Sequence, residues 1–211
     1  MRNKAIAAGA AALVAAWGIA GAGNGVTGHM AAHMTSVAVA APLLAYGLAG
    51  TGADPATRWP TVVAPLPMSL LELVVVWGRH LPAARATAAG SAAGLVFEQV
   101  MFFCAGALLW SACLGTRDAG SRARSAAGVI ALLLTTMHMT LLGVLITLAP
   151  RTLFGTEGFS CLGISLSPLV DQQLGGVVML LVGASSYLLG GLALLSRLLR
   201  SDQVTTVRQW S

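Results

Sequence analysis

The chain alternates long apolar runs with short polar segments. Six apolar runs cover residues 5–22, 28–49, 61–77, 88–114, 125–149 and 174–195, and most have the about 20 residues with which an α-helix crosses a bilayer. Segments rich in Gly, Pro, Asp and Arg separate them, as in Gly50–Pro55 and His80-Leu81-Pro82. No long stretch alternates apolar and polar positions as a transmembrane barrel requires. The pattern predicts an all-α, polytopic membrane helix bundle of about six transmembrane helices, in a single domain over residues 1–211.

Composition strengthens this prediction. Of the 211 residues, 56% are hydrophobic and only 9% are charged, whereas a soluble domain carries roughly 25% charged residues. The net charge of +5 comes from basic residues in short segments between the runs, which is typical of membrane topology. We therefore expect a lipid bilayer around the chain and no nucleic-acid partner. The three cysteines form no CxxC pair, so neither a zinc site nor a disulfide framework is predicted.

The distribution of Lys and Arg predicts the orientation. With the N-terminus in the cytoplasm, only Arg79, Arg85 and Arg151 of the 12 basic residues lie on the opposite side. The excess of positive charge inside therefore favours two cytoplasmic termini, with residues 196–211 as a cytoplasmic tail. The first run also fits a cleavable signal peptide. We favour a retained span because the run is long; cleavage would leave five spans in the same orientation.

Polar residues inside the runs are candidates for function, because ionisable groups in a membrane usually face a bundle interior. His29 and His33 lie four positions apart, on one helix face. Met30 and Met34 form a second pair turned by about 100°. Two thioethers beside two imidazoles suit copper, particularly Cu(I). An interfacial His pair with Met as ordinary packing is an equal alternative for this motif alone.

Four other polar residues lie at outer or central depth on the predicted topology. His80 ends the third run, Glu98 lies within the fourth beside Gln99, and His138 lies near the middle of the fifth. Asp171 begins the sixth run, where a carboxylate also fits an N-terminal helix cap. The inner halves of the runs show almost nothing comparable. This asymmetry predicts one polar site that opens to the outside.

These motifs together resemble one family. In chain order they are His29-Met30-Ala31-Ala32-His33-Met34, Ala41-Pro42, His80-Leu81-Pro82, Phe97-Glu98 with Gly106 and Trp110, Met137-His138 with Gly143, and Ser167-Pro168-Leu169-Val170-Asp171-Gln172-Gln173-Leu174-Gly175-Gly176. The chain resembles the CtaG family of multi-span cytochrome c oxidase assembly factors over about residues 28 to 182. One departure is Gln99, where the family usually has His after the glutamate.

The resemblance implies a multi-pass protein of a bacterial cytoplasmic (inner) membrane that matures haem–copper terminal oxidases and handles copper. Its partners would be oxidase subunits or other assembly factors, and it would not be an enzyme. The metal ligand candidates are His29, His33, His80, His138, Met30 and Met34. Glu98 and Asp171 would orient imidazoles or accept protons.

Two alternatives stay open. Histidines on different spans, such as His33 and His138, also suit axial ligation of a haem. The second alternative is an accessory structural subunit of a respiratory oxidase.

Overall fold

A computed structural model describes residues 1–22, 25–115, 122–155, 160–161 and 164–209. Its helices are α1 (Arg2–Gly21), α2 (Gly25–Met34), α3 (Ala41–Leu48), α4 (Pro55–Arg58), α5 (Pro65–Arg79), α6 (Pro82–Ala89), α7 (Ala92–Leu114), α8 (Arg122–Leu148), α9 (Pro168–Val178) and α10 (Ala184–Gln209). Two π-helical segments, Thr35–Ala40 and Met179–Gly183, join α2 to α3 and α9 to α10. A minimal antiparallel ladder pairs β1 (Ser160–Cys161) with β2 (Ile164–Ser165).

The all-α, polytopic bundle is confirmed. Among the described residues, five helices are long and apolar enough to cross a membrane, namely Arg2–Gly21, Gly25–Leu48, Ala92–Leu114, Arg122–Leu148 and Pro168–Arg200. The predicted run 61–77 behaves differently. It forms α5, whose 15 residues start at Pro65 and fall short of the about 20 that a perpendicular crossing needs. The helical chain also runs on to Gln209, well beyond the predicted end of the sixth run.

The π-helical segment Thr35–Ala40 has an identifiable cause in the sequence. Pro42 has no N–H group and its ring crowds the carbonyl four residues earlier, that of Ala38, so a regular α-helix is disrupted there. The freed carbonyls are satisfied from neighbouring helices. The indole Nε1–H of Trp110 donates to Val37 O at 3.0 Å, and the Ser186 hydroxyl donates to Ala38 O at 2.7 Å. Such replacement partners are what makes irregular backbone tolerable in a membrane.

The helices alternate in direction, so the bundle has two distinct ends. At one end, which we call the histidine end, lie the starts of α2, α7 and α9 and the close of α5. Asp171 of α9 ties this end together by accepting hydrogen bonds from the backbone N–H groups of Val26 (2.7 Å) and Thr27 (3.0 Å) in α2. At the opposite end, Asp54 caps α4 and accepts a hydrogen bond from Ser111 near the close of α7.

Candidate functional site

Three of the four histidines meet at the histidine end. His29 and His33 project from one face of α2, and His80 follows the last residue of α5. The ring centroid of His80 lies 5.9 Å from that of His29 and 5.4 Å from that of His33. Phe102 of α7 packs among them, with its ring centroid 3.9 Å from that of His33. The predicted convergence of these three histidines therefore has a geometric basis.

The position of Phe102 follows from the spacing along α7. Glu98, Phe102, Gly106 and Trp110 recur every fourth residue and so share one face of the helix. All four are buried. Gly106 lets the two backbones approach, because a Cβ atom there would lie 3.1 Å from Cβ of Val37. This close contact brings α7 against the π-helical segment Thr35–Ala40, which directly follows the helix that carries the histidine pair.

The best-defined atom of the site is Nε2 of His80. Its ring partner Nδ1 lies 2.7 Å from the carbonyl oxygen of Val76. A carbonyl can only accept, so Nδ1 carries the hydrogen and Nε2 of the neutral ring has a free lone pair. Burial lowers the pKa of His80 to about 4, so the ring is neutral near pH 7. Nε2 faces the thioether of Met30, with 3.4 Å between Nε2 and Sδ.

Glu98 has partners that the sequence analysis did not assign to the site. Its carboxylate is fully buried and accepts from Arg85 Nη1 at 3.0 Å and from Arg79 Nη2 at 3.4 Å. His29 Nδ1 lies 3.6 Å from the same carboxylate. Two guanidinium groups therefore neutralise the charge of Glu98 and fix the carboxylate beside one imidazole.

Several buried polar atoms of the cluster have no hydrogen-bond partner among the described residues. They are His29 Nε2, both ring nitrogens of His33, and both amide atoms of Gln99. Buried polar groups are almost always satisfied, so these atoms are available to bind ordered water or a ligand. A cavity of about 810 Å³ adjoins them and is lined by His29, Arg85 and Gln99, among others.

Other predicted site residues lie elsewhere. His138 is buried on α8 with both ring nitrogens unpartnered, yet no ring contact joins it to the other histidines in the part of the chain that the structure describes. Met34 points towards the second π-helical segment, where a Cβ on Gly183 would lie 3.1 Å from its sulfur. The Asp171 carboxylate accepts hydrogen bonds at the start of α2. It therefore acts as a helix cap, but for α2 and not for its own helix α9.

Within the described residues, no three His, Cys, Asp or Glu side chains form a group that could hold a metal ion as they stand. The close donor pair is instead of mixed type, an imidazole with a thioether. Thioether sulfur is not among those four side-chain types. It is a ligand type that favours soft copper.

The sequence analysis missed two features. Arg79 and Arg85 were counted only for topology, although Arg79 directly precedes His80 and a glutamate at the depth of Glu98 needs a counter-charge. The second is Glu72, a fully buried carboxyl group on α5. Its position within run 61–77, past the middle of the run towards His80, was the available signal.

Fold and site together define a polytopic helical membrane protein with a buried His/Met/carboxylate cluster at one end. The chain matches the family described as cytochrome c oxidase caa3 assembly factor (Caa3_CtaG) over residues 5–201. It therefore belongs to that family, and the resemblance drawn from the motifs is confirmed. No curated protein and no solved structure matches the chain significantly. Family membership supports a role in oxidase assembly, and assembly factors are generally not catalytic.

Proposed function

We propose that the protein binds copper for delivery to a haem–copper terminal oxidase during assembly. The observation that carries this proposal is the pair formed by His80 Nε2 and Met30 Sδ, 3.4 Å apart. Because Nδ1 of His80 holds the hydrogen, two lone pairs face each other with no proton between them. At metal–nitrogen and metal–sulfur bond lengths of about 2.0 and 2.3 Å, two donors of one tetrahedral ion lie about 3.5 Å apart. The pair fits that separation.

The neighbouring groups suit a third ligand and its orientation. His33 is fully buried, both of its ring nitrogens are free of hydrogen bonds, and its ring is the nearer of the other two to His80. Glu98 lies beside Nδ1 of His29, where it would orient that imidazole. His138 and Met34 are the more remote ligand candidates, in contact with the deeper part of the bundle. Asp171 acts on the site through the helix that it caps.

The test is Cu(I) competition against a chromophoric chelator with purified protein. H80A and M30L each remove one member of the central pair, and we expect each to weaken Cu(I) binding at least tenfold. M68L is the matched control, because Met68 is a buried thioether of α5 outside the cluster. H138A should have a smaller effect than H80A. Equal affinity in the wild type, H80A and M30L would overturn the proposal.

A second candidate ligand is a haem, supported by the cavity beside His29 and Arg85. Its volume of about 810 Å³ lies in the range of about 300 to 1,000 Å³ that holds organic ligands, and Arg85 would attract a propionate. A visible spectrum after haem-replete expression decides between the two. A Soret band that H29A removes favours haem, and its absence from the wild type excludes it.

We further propose that the protein lies in a bacterial cytoplasmic membrane with both termini in the cytoplasm, so that the histidine end faces outwards. The charge distribution supports this orientation. Labelling of single cysteines at Arg58 and Arg151 with an impermeant reagent tests it, using a cysteine-free background. Labelling at Arg151 alone in intact cells is expected; labelling at Arg58 alone would reverse the orientation.

The proposed partners are oxidase subunits or other assembly factors. Affinity purification separates a transient from a permanent partner. Sub-stoichiometric recovery with immature oxidase is expected of an assembly factor. Recovery in equal amounts with the mature enzyme would instead identify an accessory subunit.

A further inference from the structure

A second polar group lies inside the bundle, away from the histidine cluster. Glu72 precedes His80 by eight residues on α5, which places it about 12 Å further along the helix axis. Its side chain is fully buried. Neither the oxidase-assembly role nor the proposed copper site uses this residue.

The surroundings of Glu72 supply one geometrically defined hydrogen bond, and the Thr135 hydroxyl also interacts with its carboxyl group. The hydroxyl of Tyr187, also fully buried, donates to Oε1 of the carboxyl group. The other oxygen, Oε2, is buried and has no hydrogen-bond partner among the described residues. The nearby hydroxyls of Ser69 and Thr135 bond to each other at 3.0 Å, and Ser69 also reaches the carbonyl of Ala131.

No ion pair within the described residues involves Glu72, since all of those found converge on Glu98. The titratable groups that face it are Tyr187 of α10 and Cys113 of α7, both neutral hydrogen donors in their ordinary state. The guanidinium of Arg124, at the start of α8, donates to the carbonyls of Pro60 and Val63.

An ionised carboxylate is costly in such a setting. Moving an unpaired charge out of water is strongly unfavourable, and proteins commonly avoid that cost by keeping the group neutral. One neutral phenol satisfies Oε1 but leaves the charge of Oε2 unbalanced. We propose that Glu72 is a proton-binding site within the membrane bundle, with the proton on Oε2 while Oε1 accepts from Tyr187.

This proton site is in contact with the framework of the histidine helix. The ring of Tyr187 stacks on that of Trp110, with 5.3 Å between centroids and 14° between planes. The indole of Trp110 in turn donates to the carbonyl of Val37, three residues after Met34. Loss of the proton would place a charge against this stack, so the proton keeps the packing neutral.

Infrared spectroscopy of the metal-free protein in lipid tests the inference. A protonated carboxyl group has its own C=O stretching band, separate from the carboxylate bands. At neutral pH we expect this band in the wild type and its loss in E72Q. Y187F removes the hydrogen bond to Oε1 and should shift the band to higher frequency. Y46F is the matched control, because Tyr46 is a partly exposed tyrosine of α3, and should leave the band unchanged.

Three results would overturn the inference. The wild type and E72Q could show the same protonated carboxyl signal. A carboxylate band assigned to Glu72 could respond to Na⁺, which would identify a metal cation in place of the proton. Y187F and Y46F could have identical spectra. This comparison does not need E72Q, so it tests the site even if that variant fails to fold. Because the protein is free of copper throughout, none of these results depends on the proposed metal site.

Discussion

Asp171 provides a sharp test of how the histidine helix is held, through the substitution D171A. The carboxylate is fully buried and satisfies two backbone N–H groups at the start of α2, those of Val26 and Thr27. Substitution by alanine would leave both donors without an acceptor. This arrangement is a helix cap supplied by another helix.

The expected loss follows from these two bonds. Removing a capping side chain costs about 0.5 to 2 kcal/mol, and an orphaned buried donor costs about 1 to 3 kcal/mol. Val26 and Thr27 are only half-buried, so water recovers part of the loss. We expect D171A to lower the free energy of unfolding by about 2 kcal/mol, and D171N by about half as much, because its amide oxygen still accepts one bond.

Reversible unfolding in mixed micelles measures this difference. S167A is the matched control: Ser167 caps α9 itself, through an exposed contact of 3.5 Å to Val170 N, so we expect at most about 0.5 kcal/mol. The reasoning fails if D171A and S167A are equally stable. It also fails if D171A abolishes Cu(I) binding while stability is unchanged, since Asp171 would then act on the metal directly.

Three further substitutions test other parts of the bundle. E98Q should lower the free energy of unfolding by about 3 kcal/mol, because it leaves two guanidinium groups without a counter-charge. In a double-mutant cycle, E98Q and R85A together should destabilise the protein by less than the sum of the two single substitutions. G176A should destabilise by about 1 to 3 kcal/mol, because its Cβ would meet the backbone of α8; G191A, where neighbours lie at 3.5 Å or more, is the tolerated control. W110F should cost about 1 kcal/mol or more through the lost indole hydrogen bond, and hydrogen exchange should rise in the π-helical segment Thr35–Ala40 rather than in α1.

The apolar periodicity predicted most of the fold because long uncharged runs have few alternatives to crossing a membrane. The periodicity was misleading where an apolar run was long enough for a span but contained residues that interrupt a helix. Run 61–77 counts as a span by hydropathy, yet Pro65 and the cap at Asp54 confine regular helix to short pieces on either side of residues 59–64. The π-helical segments were also beyond prediction. Pro42 signals a disruption, but which donors would satisfy the freed carbonyls depends on helices far away in sequence.

The sequence predicted that several of the candidate residues lie together, but it did not predict the charges around them. The i, i+4 spacing of His29 and His33 fixes a shared face before any tertiary structure exists. The approach of His80, and the distance of His138, depend on helix order, which no single-chain pattern reveals. Arg79 and Arg85 were assigned to a loop because charge counts treat every basic residue alike. Their pairing with Glu98 appears only when the end of α5, which carries Arg79, and α6, which carries Arg85, pack against α7.

The burial of His80, rather than the hydrogen bond from its ring to Val76, has a consequence for the pH at which the proposed site would bind metal. A histidine that must lose a proton before it coordinates binds metal more weakly as the medium acidifies. Burial lowers the pKa of His80 to about 4, although the hydrogen bond to Val76 acts in the opposite direction, so Nε2 is already bare near neutral pH. Copper arriving there would displace no hydrogen ion from His80 until the pH fell towards that value. On the orientation proposed above, such a site would keep its affinity for copper in a mildly acidic medium outside the membrane.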